Sequence, residues 1–314
     1  MEATEANYLP SFLAPYGSPS PINPLHAVFN HPLGAAHSLW WSSCDQSHKD
    51  PDAVFLFIPG NPGLLDFYVE FLSSLHNKHP GLAVFGHAHL SHTPGVHAEK
   101  FNPEYGLRAQ IQSAVEALDA IRAAFGCTKI VLAGHSVGAW IALQVLKSRP
   151  SDVSHIFLLC PTLIHIADTP NGRRLSWLFR SPLPWVISQL SYLTRPLPLS
   201  LLFPDWSTPQ RAVLRSLLSS PTNIFACLSM AHEEMITIRE LDTALLTEHI
   251  HRIYLYFAEE DEWVSHHRSS IARIFVGDQA ARVVGGQAGV PHAFCLNHGK
   301  EVASQCSAWL SLNL

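Results

Sequence analysis

The pentapeptide Gly134-His135-Ser136-Val137-Gly138 follows the apolar run Lys129–Ala133 directly and precedes a helical pattern over Ala139–Lys147. A strand that turns straight into a helix leaves no room for side chains on either side of the turning residue, and glycines there meet that demand. The turn lifts the Ser136 hydroxyl above the end of the strand. The helix that follows points its first backbone N–H groups toward any negative charge that develops beside the serine. The pattern G-x-S-x-G in this setting is a nucleophile elbow.

The rest of the chain supplies the sheet that such an elbow needs. Apolar or β-rich runs recur at Ala53–Ile58, Leu82–Phe85, Lys129–Ala133, His155–Leu159, Arg252–Ala258 and Ala281–Val284. Several are apolar on both faces, as strands covered by helices on both sides must be. Between the second and third runs, Leu107, Ile111, Val115, Leu118, Ile121 and Phe125 form one helical stripe, and Gly126 is its natural stop. Strand, helix and strand in alternation predict a doubly wound, mostly parallel sheet, the α/β-hydrolase fold. The rhythm breaks from Thr162 to about Leu246, and a helical cap over the sheet is expected there. Residues 1–36 are rich in Pro, Ser, Ala and Asn and read as a loose arm, leaving 37–314 as the hydrolase domain.

A serine needs a base, and the base needs an orienting acid. In this fold they follow the serine in the order acid, then histidine, each after a late strand. The run Arg252–Ala258 leads into Glu259-Glu260-Asp261-Glu262-Trp263, and Asp261 is the acid chosen, with Glu259 and Glu260 as alternatives. His292 lies in the loop between the last strand and the helical tail from about Lys300, and His298 is its competitor. The loop after Ala53–Ile58 reads Pro59-Gly60-Asn61-Pro62-Gly63. Pro62 has no N–H to give, so the backbone N–H of Asn61 is expected to pair with that of Val137 as the oxyanion donors.

Composition narrows the partners. Charged residues make up only 14% and apolar residues 47% of the 314 residues, against a usual charged share of about 25%. Such a chain either buries much of itself or keeps an apolar face for lipid or a partner. The net charge of −5 and the lack of a basic run exclude nucleic acid as an expected partner. Cys44, Cys127, Cys160, Cys227, Cys295 and Cys306 show no CxxC spacing and read as reduced thiols. There is no Asn-x-Ser/Thr acceptor, no secretory leader pattern and no uncharged apolar stretch of spanning length, so an intracellular location is expected. His87-Ala88-His89-Leu90-Ser91-His92 is similar to the H-x-H-x-D-H zinc motif, but Ser91 stands where the aspartate belongs. These histidines are expected to line a loop, and no metal or cofactor is called for.

The run Phe57-Ile58-Pro59-Gly60-Asn61-Pro62-Gly63 with Asp66-Phe67-Tyr68, together with Gly86-His87-Ala88-His89, the elbow and Pro291-His292-Ala293-Phe294, resembles the lipid droplet-associated hydrolase family over roughly residues 37–314. The resemblance implies an α/β-hydrolase with a Ser–Asp–His triad, which falls on Ser136, Asp261 and His292. It also implies lipid or sterol esters as substrates, and residence on lipid droplets and the cytoplasmic side of the endoplasmic reticulum. It does not account for residues 1–36.

The reading is therefore a serine esterase acting on lipid esters through an acyl-enzyme. A thioesterase or lactone hydrolase of a soluble intermediate, and a catalytically idle droplet scaffold, remain as alternatives. Trp177, Phe179, Trp185, Tyr192, Phe203 and Trp206 crowd the cap beside Arg173, Arg174, Arg180 and Arg195. Trp177, Trp185 and Trp206 are the candidates for contact with substrate or a lipid surface, since indoles suit an interface. The alternative is that these rings only pack the cap onto the sheet.

Overall fold

A computed structural model describes residues 9–17, 24–43, 50–96, 105–126 and 128–314. The strands are β1 (Leu13–Pro15), β2 (Leu25–His31), β3 (Gly34–Trp41), β4 (Ala53–Ile58), β5 (Leu82–His87), β6 (Lys129–His135), β7 (His155–Leu159), β8 (Ile253–Phe257) and β9 (Val283–Gly285). They form one sheet in the order β1-β2-β3-β5-β4-β6-β7-β8-β9. The pairings from β5 through β9 are parallel, and those joining β1, β2, β3 and β5 are antiparallel. This is the expected α/β-hydrolase architecture.

The apolar strands are buried on both faces because helices cover both. The helices outside the cap are α1 (Val69–His76), α2 (Leu107–Phe125), α3 (Val137–Ser148), α10 (His267–Ala272) and α11 (Gly299–Asn313). In β4, Val54, Leu56 and Ile58 point into the core shared with α2 and α3. Ala53, Phe55 and Phe57 point the other way, into the core shared with α1 and α11. The period-2 alternation thus fills two cores from one run of apolar residues. The stripe foreseen over Leu107–Phe125 is α2, closed by Gly126 at φ 56°.

The expectation of a loose arm over residues 1–36 is corrected by β1, β2 and the start of β3, which lie within it. In β2, Leu25, Ala27, Phe29 and His31 alternate inward, and the strand pairs with β3 across a hairpin. Burial of that face outweighs the loop-like composition around it. Residues 1–8 and 18–23 of the arm lie outside the described residues, as do Cys44 and Cys127. The described cysteines Cys160, Cys227, Cys295 and Cys306 are buried free thiols.

Between β7 and β8 the chain is helical. It runs through α4 (Pro170–Leu175), α5 (Leu183–Leu190), α6 (Leu199–Leu202), α7 (Thr208–Leu218), α8 (Pro221–Thr237) and α9 (Thr243–Glu248). Proline-rich breaks keep these pieces short, and side-chain caps start three of them. Thr169 caps α4, Ser207 and Gln210 form a capping box on α7, and Asp242 caps α9. No helix among the described residues is long and apolar enough to cross a membrane.

Candidate active site

Ser136 sits between β6 and α3 with φ 55° and ψ −122°. A β-carbon on Gly134 would come 2.2 Å from the Gly138 carbonyl oxygen, and one on Gly138 would come 2.3 Å from that of Ile58. Real β-carbons do not approach so closely, so both positions require glycine. The Ser136 N–H donates to the Leu159 carbonyl at 2.9 Å, which fastens the strained residue to β7.

The structure brings Ser136, His292 and Asp261 into one line. His292 Nε2 lies 3.0 Å from Ser136 Oγ, and His292 Nδ1 lies 2.7 Å from Asp261 Oδ2. The other Asp261 oxygen accepts from the backbone N–H groups of Trp263 and Val264, at 2.9 and 3.0 Å. Burial pushes the Asp261 carboxyl up, but the His292 bond and charge and the two N–H groups outweigh it. Its net position is below the usual carboxylate range, so it stays ionised beside the imidazole. With Nδ1–H donating to that carboxylate, Nε2 is left free to take a proton from Ser136.

The alternatives considered for the triad lie elsewhere. Glu259 accepts from Gly289 N–H at 3.0 Å and so braces the loop that leads to His292. Glu260 is exposed. His298 stands just before α11, with its Nδ1 3.8 Å from Glu301.

Among the described residues, the backbone N–H groups of Asn61 and Val137 donate to no other group of the chain. The Asn61 loop is held by side chains instead. His89 Nε2–H donates to the Pro59 carbonyl at 3.0 Å, and His92 Nδ1–H donates to that of Pro62 at 2.8 Å. The Asn61 side chain donates to the Cys227 carbonyl and to Glu234 Oε1, at 2.9 and 2.8 Å. Of the histidines in the zinc-like motif, His89 and His92 thus brace this loop, while His87 Nε2 lies 2.9 Å from Ser113 Oγ. Burial holds His92 near a pKa of about 4 and His89 well below its ordinary value, so both are neutral.

A second polar chain runs beneath the triad. Gly60 N–H donates to Tyr68 Oη at 3.2 Å, and Tyr68 Oη lies 2.8 Å from His135 Nδ1. His135 Nε2 lies 2.9 Å from the His292 carbonyl. A carbonyl only accepts, so Nε2 carries the hydrogen and Nδ1 accepts from the tyrosine. Burial, and secondarily the His292 charge, holds the His135 pKa to about 3, which keeps it in that neutral form. One chain of bonds therefore ties the Asn61 loop, the elbow and the backbone of His292 together. Tyr68, His135 and Glu234 were not chosen from sequence as site residues. The contacts that define them join positions 67, 157 and 173 residues apart.

Above Ser136 opens a cavity of about 470 Å³ between the sheet and the cap. Its walls are mainly apolar, with Leu64, Phe67, Phe179, Leu217 and Leu228 among them. Trp206 also lines it, against Phe67 and Phe203. Trp177 and Trp185 do not line it; they are 56% and 60% exposed on the outside of the cap. Phe179 is buried, so the cap's aromatic rings divide between the cavity and the surface.

A model of the lipid droplet-associated hydrolase family matches residues 51–295. The chain belongs to this family. It is 28% identical to the lipid droplet-associated hydrolase of Gallus gallus over 91% of this chain and 95% of that one. It is 30% identical to the protein of that name from Homo sapiens, over 82% of this chain and 85% of that one. Among solved structures it is similar to an epoxide hydrolase from Vigna radiata, with TM-score 0.65, 12% identity and coverage of 92% and 99%. It is also similar to a carboxyl esterase from Bacillus coagulans, with TM-score 0.58, 12% identity and coverage of 93% and 99%. At such identities the structural likeness speaks for the fold, and the family membership makes the chain a hydrolase.

Proposed function

We propose that this hydrolase cleaves carboxylic esters of lipids through a Ser136–His292–Asp261 triad. The observation that carries the reading is the unbroken hydrogen-bonded line from Ser136 Oγ through His292 to Asp261, opening into an apolar cavity. Ser136 Oγ attacks the acyl carbon while His292 Nε2 takes its proton, and Asp261 stabilises the imidazolium. The N–H groups of Asn61 and Val137 receive the oxyanion. Collapse expels the alcohol, which leaves with the proton from His292. A water deprotonated by the same imidazole then attacks the acyl-serine and releases the acid. No step requires a metal or a cofactor.

The relatives are named for lipid droplets, and the cap offers a face that fits such a surface. Trp177, Trp185, Tyr192, Leu193, Leu201 and Leu202 are exposed there. No acidic residue occurs between Asp168 and Asp205, whereas Arg173, Arg174, Arg180 and Arg195 do. Rings that are apolar at one end, among cations, suit an anionic monolayer of phospholipid. The protein would rest with this face on lipid droplets and on the cytoplasmic side of the endoplasmic reticulum, its cavity beside the supply of ester.

A serine-directed fluorophosphonate probe, followed by turnover of matched oxygen esters and thioesters, tests the chemistry. Labelling of Ser136 with faster cleavage of oxygen esters is expected. Faster thioester cleavage would replace the ester reading with a thioesterase, and no labelling would leave an idle scaffold.

A further inference from the structure

Among the described residues, Glu234 on α8 is the one carboxyl group that lines the cavity, and no lysine or arginine lines it with it. Its side chain is buried, at 5% exposure. One oxygen, Oε1, accepts from Asn61 Nδ2 at 2.8 Å. No hydrogen bond to the other oxygen, Oε2, occurs among the described residues, and the residue lines the cavity. A buried carboxyl with half of its capacity unused is costly unless something else fills the place. The cap could have carried a leucine or methionine here, as it does at Leu217, Leu228 and Met235 around the same cavity.

We propose that Glu234 is a substrate contact that selects esters carrying a free hydroxyl close to the scissile carbonyl. The inference rests on the ester-hydrolase reading above. Its position follows from Asn61. The same residue offers its backbone N–H to the oxyanion and its side chain to Glu234, so the carboxyl stands beside the carbonyl end of the bound ester. Burial raises the Glu234 pKa to about 7, against the opposing Asn61 bond. Near neutrality the group is therefore present in both protonation states. A hydroxyl pairs with either, donating to the carboxylate or accepting from the acid. A cationic amine fits only the first state, and a second carbonyl only the second. The hydroxyl can belong to the alcohol, as in a partial ester of a polyol, or to the acyl chain, as in a 3-hydroxy acid.

Two pairs of esters separate these sources. Glycerol monooleate and n-propyl oleate differ only in the hydroxyls of the alcohol. Methyl 3-hydroxypalmitate and methyl palmitate differ only in the acyl chain. A site that bonds a hydroxyl discriminates strongly against the analogue lacking it, so the wild type is expected to prefer the hydroxylated member of one pair by about tenfold or more in kcat/KM. Glu234→Leu is expected to abolish that preference. Glu234→Gln keeps the acceptor for Asn61 but presents an amide in place of the free oxygen, and it is expected to lower the preference several-fold. A purely structural Glu234 would leave the ratio unchanged in Glu234→Gln. That result, or equal cleavage within both pairs by the wild type, overturns the inference while fluorophosphonate labelling keeps the hydrolase reading. A wild type that neither labels nor cleaves overturns both.

Discussion

The floor and the roof of the cavity treat their polar groups in opposite ways. On the floor, at the carboxyl ends of β4, β6 and β8, the polar side chains of the Ser136 site are tied into one network, and the backbone N–H groups of Asn61 and Val137 are left open. Asp261 receives three hydrogen bonds, and Tyr68 and His135 link Gly60 to His292. In the roof, Glu234 lines the cavity with a bond to Oε1 alone among the described residues, and a set of large apolar side chains is open to solvent. The floor is built to hold one geometry, as a preorganised site must be. The roof carries unmet capacity inside and outside, which is what substrate and lipid would fill.

If the floor holds one geometry, removing a member of its central line should cost far more than any change in the roof. Ser136→Ala is expected to lower ester turnover on the order of a millionfold and to abolish fluorophosphonate labelling. Its melting temperature should stay close to that of the wild type, since only one hydroxyl is lost. Asp261→Asn is expected to cost on the order of ten-thousandfold, because the His292 tautomer is no longer fixed. His292→Ala should fall with Ser136→Ala, and His298→Ala should stay near wild type. The reverse order for the two histidines would move the base to His298, just before α11.

The floor was also the more legible part. Ser136, Asp261 and His292 follow strands β6, β8 and β9, and apolar runs mark where those strands end. The glycines of the elbow state a steric requirement that sequence alone expresses. The hairpin of β2 and β3 was missed because prolines and serines nearby read as loop. Yet Leu25-His26-Ala27-Val28-Phe29-Asn30-His31 does alternate, and weighing that period above composition would have found β2. Glu234 had no local signal. It lies in an otherwise ordinary helical stretch, and its meaning comes from Asn61, 173 residues earlier.

The two regions should respond to pH with opposite signs. On the sheet side, burial holds His37 and His92 to pKa values of about 4, and His87 and His135 to about 3. In the unfolded chain such groups titrate near 6.5. As pH falls below 6.5, the unfolded state takes up protons that the folded state refuses, so stability drops toward pH 4. Each such histidine contributes up to about 1.4 kcal/mol per pH unit in that window. Glu234 works the other way. Its folded pKa of about 7 exceeds the unfolded carboxyl value, so its contribution declines as pH rises from about 4.5 to 7. Four histidines against one carboxyl predict a net loss on acidification. Urea midpoints at pH 7.5, 6 and 5 should fall in that order. Glu234→Gln should steepen the fall, because it removes a group of opposing sign. A midpoint indifferent to pH across this range would mean that the histidines are not held neutral in the fold.

The smallest expected effect concerns the outside of the roof. Trp177 and Trp185 are more than half exposed, and neither lines the cavity. The Trp177 indole N–H is already spent on the Arg174 carbonyl at 2.9 Å, so its ring edge is free to enter an apolar layer. The Arg195 guanidinium lies 4.4 Å from the centre of the Tyr192 ring, which places a cation beside another exposed ring of the cap. Replacing both tryptophans with serine removes apolar area that a droplet would cover, at about 25 cal/mol per Å². Co-flotation with artificial droplets coated in phospholipid should therefore fall by about tenfold or more. Cleavage of a short, water-soluble ester should persist, because the triad and its floor are untouched. Trp206 is the internal control. It lines the cavity against Phe67 and Phe203, so Trp206→Ser should alter hydrolysis and leave flotation near the wild-type level. If the double variant floats as well as the wild type, the exposed rings of the cap do not hold the protein to lipid. If it unfolds, they serve to pack the cap, and the contrast between a rigid floor and an adhesive roof fails at the roof.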